Sequence, residues 1–245
     1  MPARTVPYGF INQVMDNYDQ LNAEQKIEIN GYLIGYADGV EDESVRKFVN
    51  EKNSKSNLSR ASYAPSDARA YASEYYEDYN LDEYPDLNNI GGDCANFVSQ
   101  CIHYAGKQMD SKWYIEKLND DNPIPTTIGE LNDSWDLANP SPWISAKEFG
   151  TYWSGKALNT TTYSVSDYLS LTDRSISGYA HGDVVQLTKK AIINYYGYHT
   201  MLITKIDGND FLYSGHYADR FDANLTDSLD GYDNSSYKVK FYAMW

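Results

Sequence analysis

Hydrophobic and polar positions divide the chain into a helical first part and a sheet-forming last part. Ile11, Val14, Met15 and Tyr18 are spaced as one helical face, and Ile27, Tyr32, Leu33, Ile34 and Tyr36 predict a second helix interrupted by Gly31 and Gly35. Residues 41–50 suit a third, and the polar stretch 50–57 reads as a linker. Residues 1–60 are therefore expected to form a helical extension, and residues 61–245 the main domain. After Pro65, Ser66 is a good N-cap, and Ala68, Tyr71, Ala72, Tyr75, Tyr76 and Tyr79 recur at helical spacing.

The next helix starts abruptly. In Gly91-Gly92-Asp93-Cys94-Ala95-Asn96-Phe97-Val98, two glycines can take backbone conformations closed to other residues, so the chain turns sharply and enters a helix at Cys94. Phe97, Val98, Cys101, Ile102 and Ala105 then make a buried stripe, and Gly106 stands where a left-handed cap ends it.

Beyond this helix, residues 107–139 read as a long loop carrying Trp113, Tyr114 and Trp135, of the kind that sets substrate selectivity. Ser145 to Glu148 is a capping box, and Ser166 caps another short helix. From Asp183 the pattern changes to strands over 183–189, 199–206, 211–217 and 237–245, with Asp207-Gly208-Asn209-Asp210 as a hairpin turn. Helices first and an antiparallel sheet last make an α+β layout.

Composition narrows the function. With 35 acidic against 20 basic residues the net charge is −15, and no basic stripe interleaved with aromatics is present, which argues against nucleic-acid binding. The same charge means that net attraction cannot bring the chain to an anionic wall, so contact there has to be local. No apolar run reaches membrane-spanning length. Met1 to Thr5 lacks the charged start and apolar core of a secretion signal. Tyrosines number 24 against 7 phenylalanines, suiting half-exposed packing or contact with sugars and peptides.

The two cysteines do not pair. Cys101 lies seven residues beyond Cys94, about 10.5 Å along a helix, outside the roughly 4.4–6.8 Å that a disulfide spans. Cys101 reads as a small buried hydrophobe. Cys94 sits where unpaired backbone N–H groups and the helix dipole favour a thiolate and are able to hold an oxyanion, which points to a nucleophile. Its base is sought among four histidines. His103 lies about 180° round the same helix and is set aside. His181 reads as a turn residue, whereas His199 opens a strand and is rigidly held, as a general base requires. No two histidines or cysteines have ligand spacing with a carboxylate, so neither metal nor cofactor is expected.

The run Gly91 to Gln100 after a tyrosine-rich helix, the later Gly182-Asp183-Val184-Val185, and His199 to Thr204 followed by a hairpin and Ser214 to Asp219 together resemble the putative amidase domain of bacterial proteins. That family is a branch of the NlpC-type, papain-like cysteine peptidases. The resemblance covers roughly residues 63–245. It implies a papain-like α+β fold and a cysteine hydrolase with Cys94 as nucleophile and His199 as base. It also implies peptide cross-links or amide linkages of peptidoglycan as substrate, and a secreted or wall-associated location, with a cytoplasmic one also compatible. In that superfamily a polar residue on the strand after the histidine strand orients the imidazole. Pairing across Gly208-Asn209 sets residue 216 opposite residue 201, on the face of His199, which makes His216 the first choice and Asp219 the second. Asp93 is read mainly as orienting the loop, because a carboxylate beside the thiol raises its pKa unless it turns away. Two other readings stay open at this point. One is an inactive binding module on the same fold, favoured by the negative charge and the exposed-looking tryptophans. The other is an acyltransferase that resolves the thioester with an amine. Oligomeric state is not legible in the chain.

Overall fold

A computed structural model of the protein describes residues 8–21, 63–118, 122–174 and 178–245, and single positions 29, 33, 44, 45, 47 and 48. Seven α-helices are described: α1 (Tyr8–Asn17), α2 (Pro65–Tyr75), α3 (Cys94–Tyr104), α4 (Ile128–Ser134), α5 (Ala146–Ser154), α6 (Val165–Ser170) and α7 (Leu225–Leu229). Eight strands accompany them: β1 (Ile115–Lys117), β2 (Trp135–Leu137), β3 (Asn159–Ser164), β4 (Val184–Lys190), β5 (Tyr195–Asp207), β6 (Asp210–Gly215), β7 (Arg220–Asn224) and β8 (Tyr237–Ala243). Strands β1 and β2 pair with each other, and the other six form one antiparallel sheet in the order β3-β8-β4-β5-β6-β7. The layout is mixed α+β, with helices against an antiparallel sheet.

The central strands are apolar on both faces because both faces are covered. On one side Val184, Leu202 and Tyr242 join Phe97, Val98, Cys101 and Phe149 in a core with α2, α3 and α5. On the other, Val185, Leu187, Met201, Ile203, Phe211 and Phe241 pack with Val165, Tyr168 and Leu225 from α6 and α7. Helix α3 thus lies directly on β5, which brings its first turn to the sheet.

Several expected features differ. α2 begins at Pro65 with Ala64 in the cap position and stops at Tyr75, short of Tyr79. β5 begins at Tyr195, so His199 is inside the strand, and a bulge between Leu187 and Thr188 falls beside it. Ser164, not Ser166, caps α6 through the N–H of Asp167. The expected loop 107–139 carries β1, α4 and β2, and its tryptophans are core: Trp113 is buried between Trp143 and Trp153, with ring centroids at 4.7 and 5.1 Å, and Trp135 is buried too. The exposed-tryptophan argument for a binding module therefore falls. The edge strands β3 and β7 escape the pattern because their sequences, Asn-Thr-Thr-Thr-Tyr-Ser and Arg-Phe-Asp-Ala-Asn, hold few apolar residues.

Ile11, Leu33 and Val45 form a further small apolar cluster. The second and third N-terminal helices and the linker otherwise lie outside the described residues. Among the described residues no helix is long and apolar enough to cross a membrane.

Candidate active site

The approach to Cys94 is set by backbone conformation. Gly91 and Gly92 have φ of 129° and 109°, which only glycine adopts without strain, and the next residues enter α3. The glycine turn is as the residue pattern requires. Cys94 is half-buried at the helix start, while Cys101 is buried one side-chain stripe further in.

Asp93 turns away from the thiol and organises the loop. Its Oδ1 accepts hydrogen bonds from the Leu87 N–H (3.0 Å) and the Asn96 side-chain amide (2.8 Å), and its Oδ2 lies 2.5 Å from His216 Nδ1. Asn96 also donates to the Pro85 carbonyl and accepts from the Trp143 indole. On the other side of the ring, His216 Nε2 donates to the Tyr75 carbonyl at 2.8 Å, a group left without an intrahelical donor at the end of α2. The imidazole is stacked between Tyr79 and Phe97, each centroid 3.9 Å away. His216 therefore ties the end of α2 to the start of α3. Because a carbonyl only accepts, Nε2 must carry a hydrogen, and the Nδ1–Oδ2 contact shares one more proton between ring and carboxyl. Burial pushes the Asp93 carboxyl above its usual range, opposed by the bonds from His216, Asn96 and Leu87.

The Cys94 sulfur faces β5. The backbone N–H groups of Thr200 and Ala95 and the Thr200 hydroxyl act on it to favour the thiolate. The hydroxyl oxygen in turn accepts from Gln186 Nε2 at 2.9 Å, and that amide also donates to the Ala146 carbonyl while its oxygen accepts from the Tyr242 hydroxyl. Gln186 and Thr200 are fully buried and every bond of this relay is made, so Thr200 is held rigidly. The thiol does not have the lowered pKa that a helix start suggests. Burial pushes it up, the Thr200 N–H pulls it down, and the Asp93 carboxylate pushes it up again. A dipole effect of about 0.3–1 kcal/mol is smaller than the loss of water around a thiolate.

His199 precedes Thr200 on β5 and is partly exposed. Burial, then the positive charge of Arg220, lowers its pKa to about 4, so the ring is neutral at pH 7 and free to accept a proton. Tyr217 meets it edge-on at 5.4 Å. His199 and Thr200 are neighbours on β5, the strand on which the Cys94 helix packs.

Neither expected third residue is brought to His199. The hairpin register starts as anticipated, with Asp207 opposite Asp210 and Lys205 opposite Leu212. A bulge at Thr204 then changes it, so that Ile203 faces Tyr213 and Leu202 faces Ser214. A shift of one residue reverses the face of everything beyond it. Gly215 comes to lie beside His199, where a Cβ would be 3.9 Å from Cε1, and His216 is carried over to Asp93 and α3. Asp219 accepts a hydrogen bond from the Tyr79 hydroxyl at 2.8 Å instead. Of the other histidines, His103 bonds the Lys107 carbonyl through Nδ1, and His181 lies near Trp245. The residue pattern does not mark Thr200 or Gln186 as site residues; its one signal is a glutamine inside the apolar run Val184-Val185-Gln186-Leu187.

Among the described residues no group of three or more His, Cys, Asp and Glu is placed to hold a metal ion. In comparison with known proteins, the model of one family, described as "Putative amidase domain", matches residues 62–242. Neither a curated protein nor a solved structure matches the chain.

Proposed function

The chain belongs to this amidase domain family, whose description indicates amide-bond hydrolysis, and on that premise we propose that it is a cysteine amidase of the NlpC-type, papain-like kind. Its substrate in this reading is an amide or peptide bond of bacterial peptidoglycan, and residues 61–245 are the catalytic domain, with residues 1–60 as an extension.

The observation that carries the reading is the half-buried Cys94 thiol at a glycine-turn helix start, on a helix packed against β5, the strand that holds His199. With thiol and imidazole both neutral at rest, the ring acts as a general base. As Cys94 attacks the carbonyl carbon, His199 takes the thiol proton, and the N–H groups at the start of α3 face the developing oxyanion. The tetrahedral intermediate collapses by breaking the C–N bond, His199 protonates the leaving amine, and a thioester remains on Cys94. Water, deprotonated by His199, releases the acid and the thiol. Thr200, held by Gln186, keeps the sulfur in place throughout.

Incubation of the purified protein with purified peptidoglycan tests this, with new amino groups quantified and identified by mass spectrometry. Wild type is expected to release them, and Cys94→Ser to keep the fold and release none. A Cys94→Ser variant as active as wild type would refute the cysteine mechanism. An inert wild type on peptidoglycan that cleaves other peptides would refute the substrate alone.

A further inference from the structure

A second concave site lies along a different edge of α5 from the one packed into the core. Phe149 and Trp153 of that helix are buried, whereas Lys147, Thr151 and Ser154 border a groove of about 470 Å³. Its floor is the sheet, where Lys240 of β8 pairs with Gln186 of β4 and Lys238 pairs with Thr188. Side chains two apart on a strand share a face, so both ammonium groups belong to this groove.

Charge sets the groove apart. The chain holds 35 acidic residues, yet the groove is lined by three lysines and no aspartate or glutamate. Lys147 is partly neutralised by Glu148 at 3.0 Å, but among the ion pairs of the described residues none involves Lys238 or Lys240. Their neighbours are neutral: the Lys238 ammonium stands 4.5 Å from the centre of the Tyr195 ring. That of Lys240 stands 5.1 Å from the Tyr242 ring and donates to the Ser154 hydroxyl at 2.7 Å. Both side chains are half-buried, so their placement is constrained by packing. A concave surface of one sign focuses the field, and here it does so against a net charge of −15.

We propose that this groove binds an anionic group, a carboxylate or a phosphate, between Lys238 and Lys240. Thr151, Thr188 and Asn194 supply neutral hydrogen-bonding side chains around it. The site is distinct from the thiol. Two strand spacings, about 10 Å, separate Lys240 from Thr200. Between them α5 packs so closely on Gln186 that a Cβ at Gly150 would lie 2.5 Å from the amide oxygen. A bound anion thus sits to one side of Cys94 and gives this acidic protein a local hold on a negatively charged ligand.

The test is binding, independent of turnover. Inorganic phosphate and glutarate are titrated separately into the 15N-labelled full chain at constant ionic strength, following the Gly197 and Ala191 backbone amides. Saturable shifts are expected with at least one of the two, and the tighter probe tells phosphate recognition from carboxylate recognition. Lys238→Gln/Lys240→Gln should weaken binding about tenfold or more, the loss of two charge-assisted contacts, while Lys205→Gln, on an exposed part of β5, should stay within about twofold of wild type. If the double variant loses its folded spectrum, Lys238→Gln alone should still weaken binding. Absence of saturation with both anions, or equal effects of the groove and Lys205 variants, overturns the proposal.

Discussion

His216 Nδ1 lies 2.5 Å from Asp93 Oδ2, and this contact joins the residue before Cys94 to the far end of the β5–β6 hairpin. Both side chains are buried, with the ring clamped between Tyr79 and Phe97. Removing one member leaves the other without its partner in a dry setting. His216→Leu is expected to cost about 3–5 kcal/mol of stability, measured by urea unfolding. Asp93→Asn/His216→Leu should cost less than the sum of the single changes, because neither residue is then orphaned. Additive losses would mean that the two act independently.

In the proposed mechanism Thr200 positions the sulfur, and its hydroxyl oxygen accepts from Gln186. Thr200→Val removes the hydroxyl that favours the Cys94 thiolate; at about 1 kcal/mol for such a contact, both amide turnover and iodoacetamide labelling of Cys94 should slow by roughly five- to tenfold. Thr200→Ser should restore both. A variant that loses stability but labels Cys94 at the wild-type rate would reduce Thr200 to a packing residue.

Alkylation also reads the thiol itself. Since burial holds its pKa above the ordinary value, labelling of Cys94 should climb steadily with pH into the alkaline range, while Cys101, fully buried, stays unlabelled until the protein unfolds. A labelling rate already at its plateau at pH 6 would show a stabilised thiolate and contradict this arrangement.

In the proposed mechanism His199 is a base that works only unprotonated, and this sets the sign. With its pKa lowered to about 4, turnover is expected to be independent of this group from about pH 5 upward and to fall as pH drops through 4. His199→Gln should lower kcat by about 10²–10⁴. Arg220→Gln removes one of the two causes of the shift, so the acid limb should move to higher pH; an unmoved limb would exclude His199 as its source.

Asp183 gives the stability profile a direction. It is buried and accepts N–H bonds from Met244 (2.7 Å) and Ala180 (2.9 Å), yet burial raises its pKa to about 7. The folded state then binds the proton more tightly than the unfolded chain, whose carboxyl titrates near 4. The stability it contributes is complete below about pH 4 and is lost as pH rises to 7, on the order of 4 kcal/mol in all. Urea midpoints of wild type should accordingly decline relative to Asp183→Asn between pH 4 and 7. A constant offset across that range would rule the titration out.

The local sequence determined the features that depend on near neighbours. The Gly91-Gly92 turn, the start of α3 at Cys94 and its end before Gly106 follow from backbone freedom and spacing, and the structure shows each, whereas the expected change from helices to strands at Asp183 is broken by β3 before it and α7 after it. Placing Cys101 in the core, apart from Cys94, also needed only helical geometry. Tertiary structure decided what Asp93 and His216 do. One residue of bulge at Thr204 reverses the face of His216, and no local propensity marks that position. It likewise buried Trp113 and Trp135, which sit among polar residues in the chain; in space Trp113 packs against the Trp143 ring and Trp135 lies under the Lys117 ammonium. The direction of the Cys94 shift belongs to the same class, since the helix dipole is written in the local sequence while the burial of the thiol is made by tertiary packing.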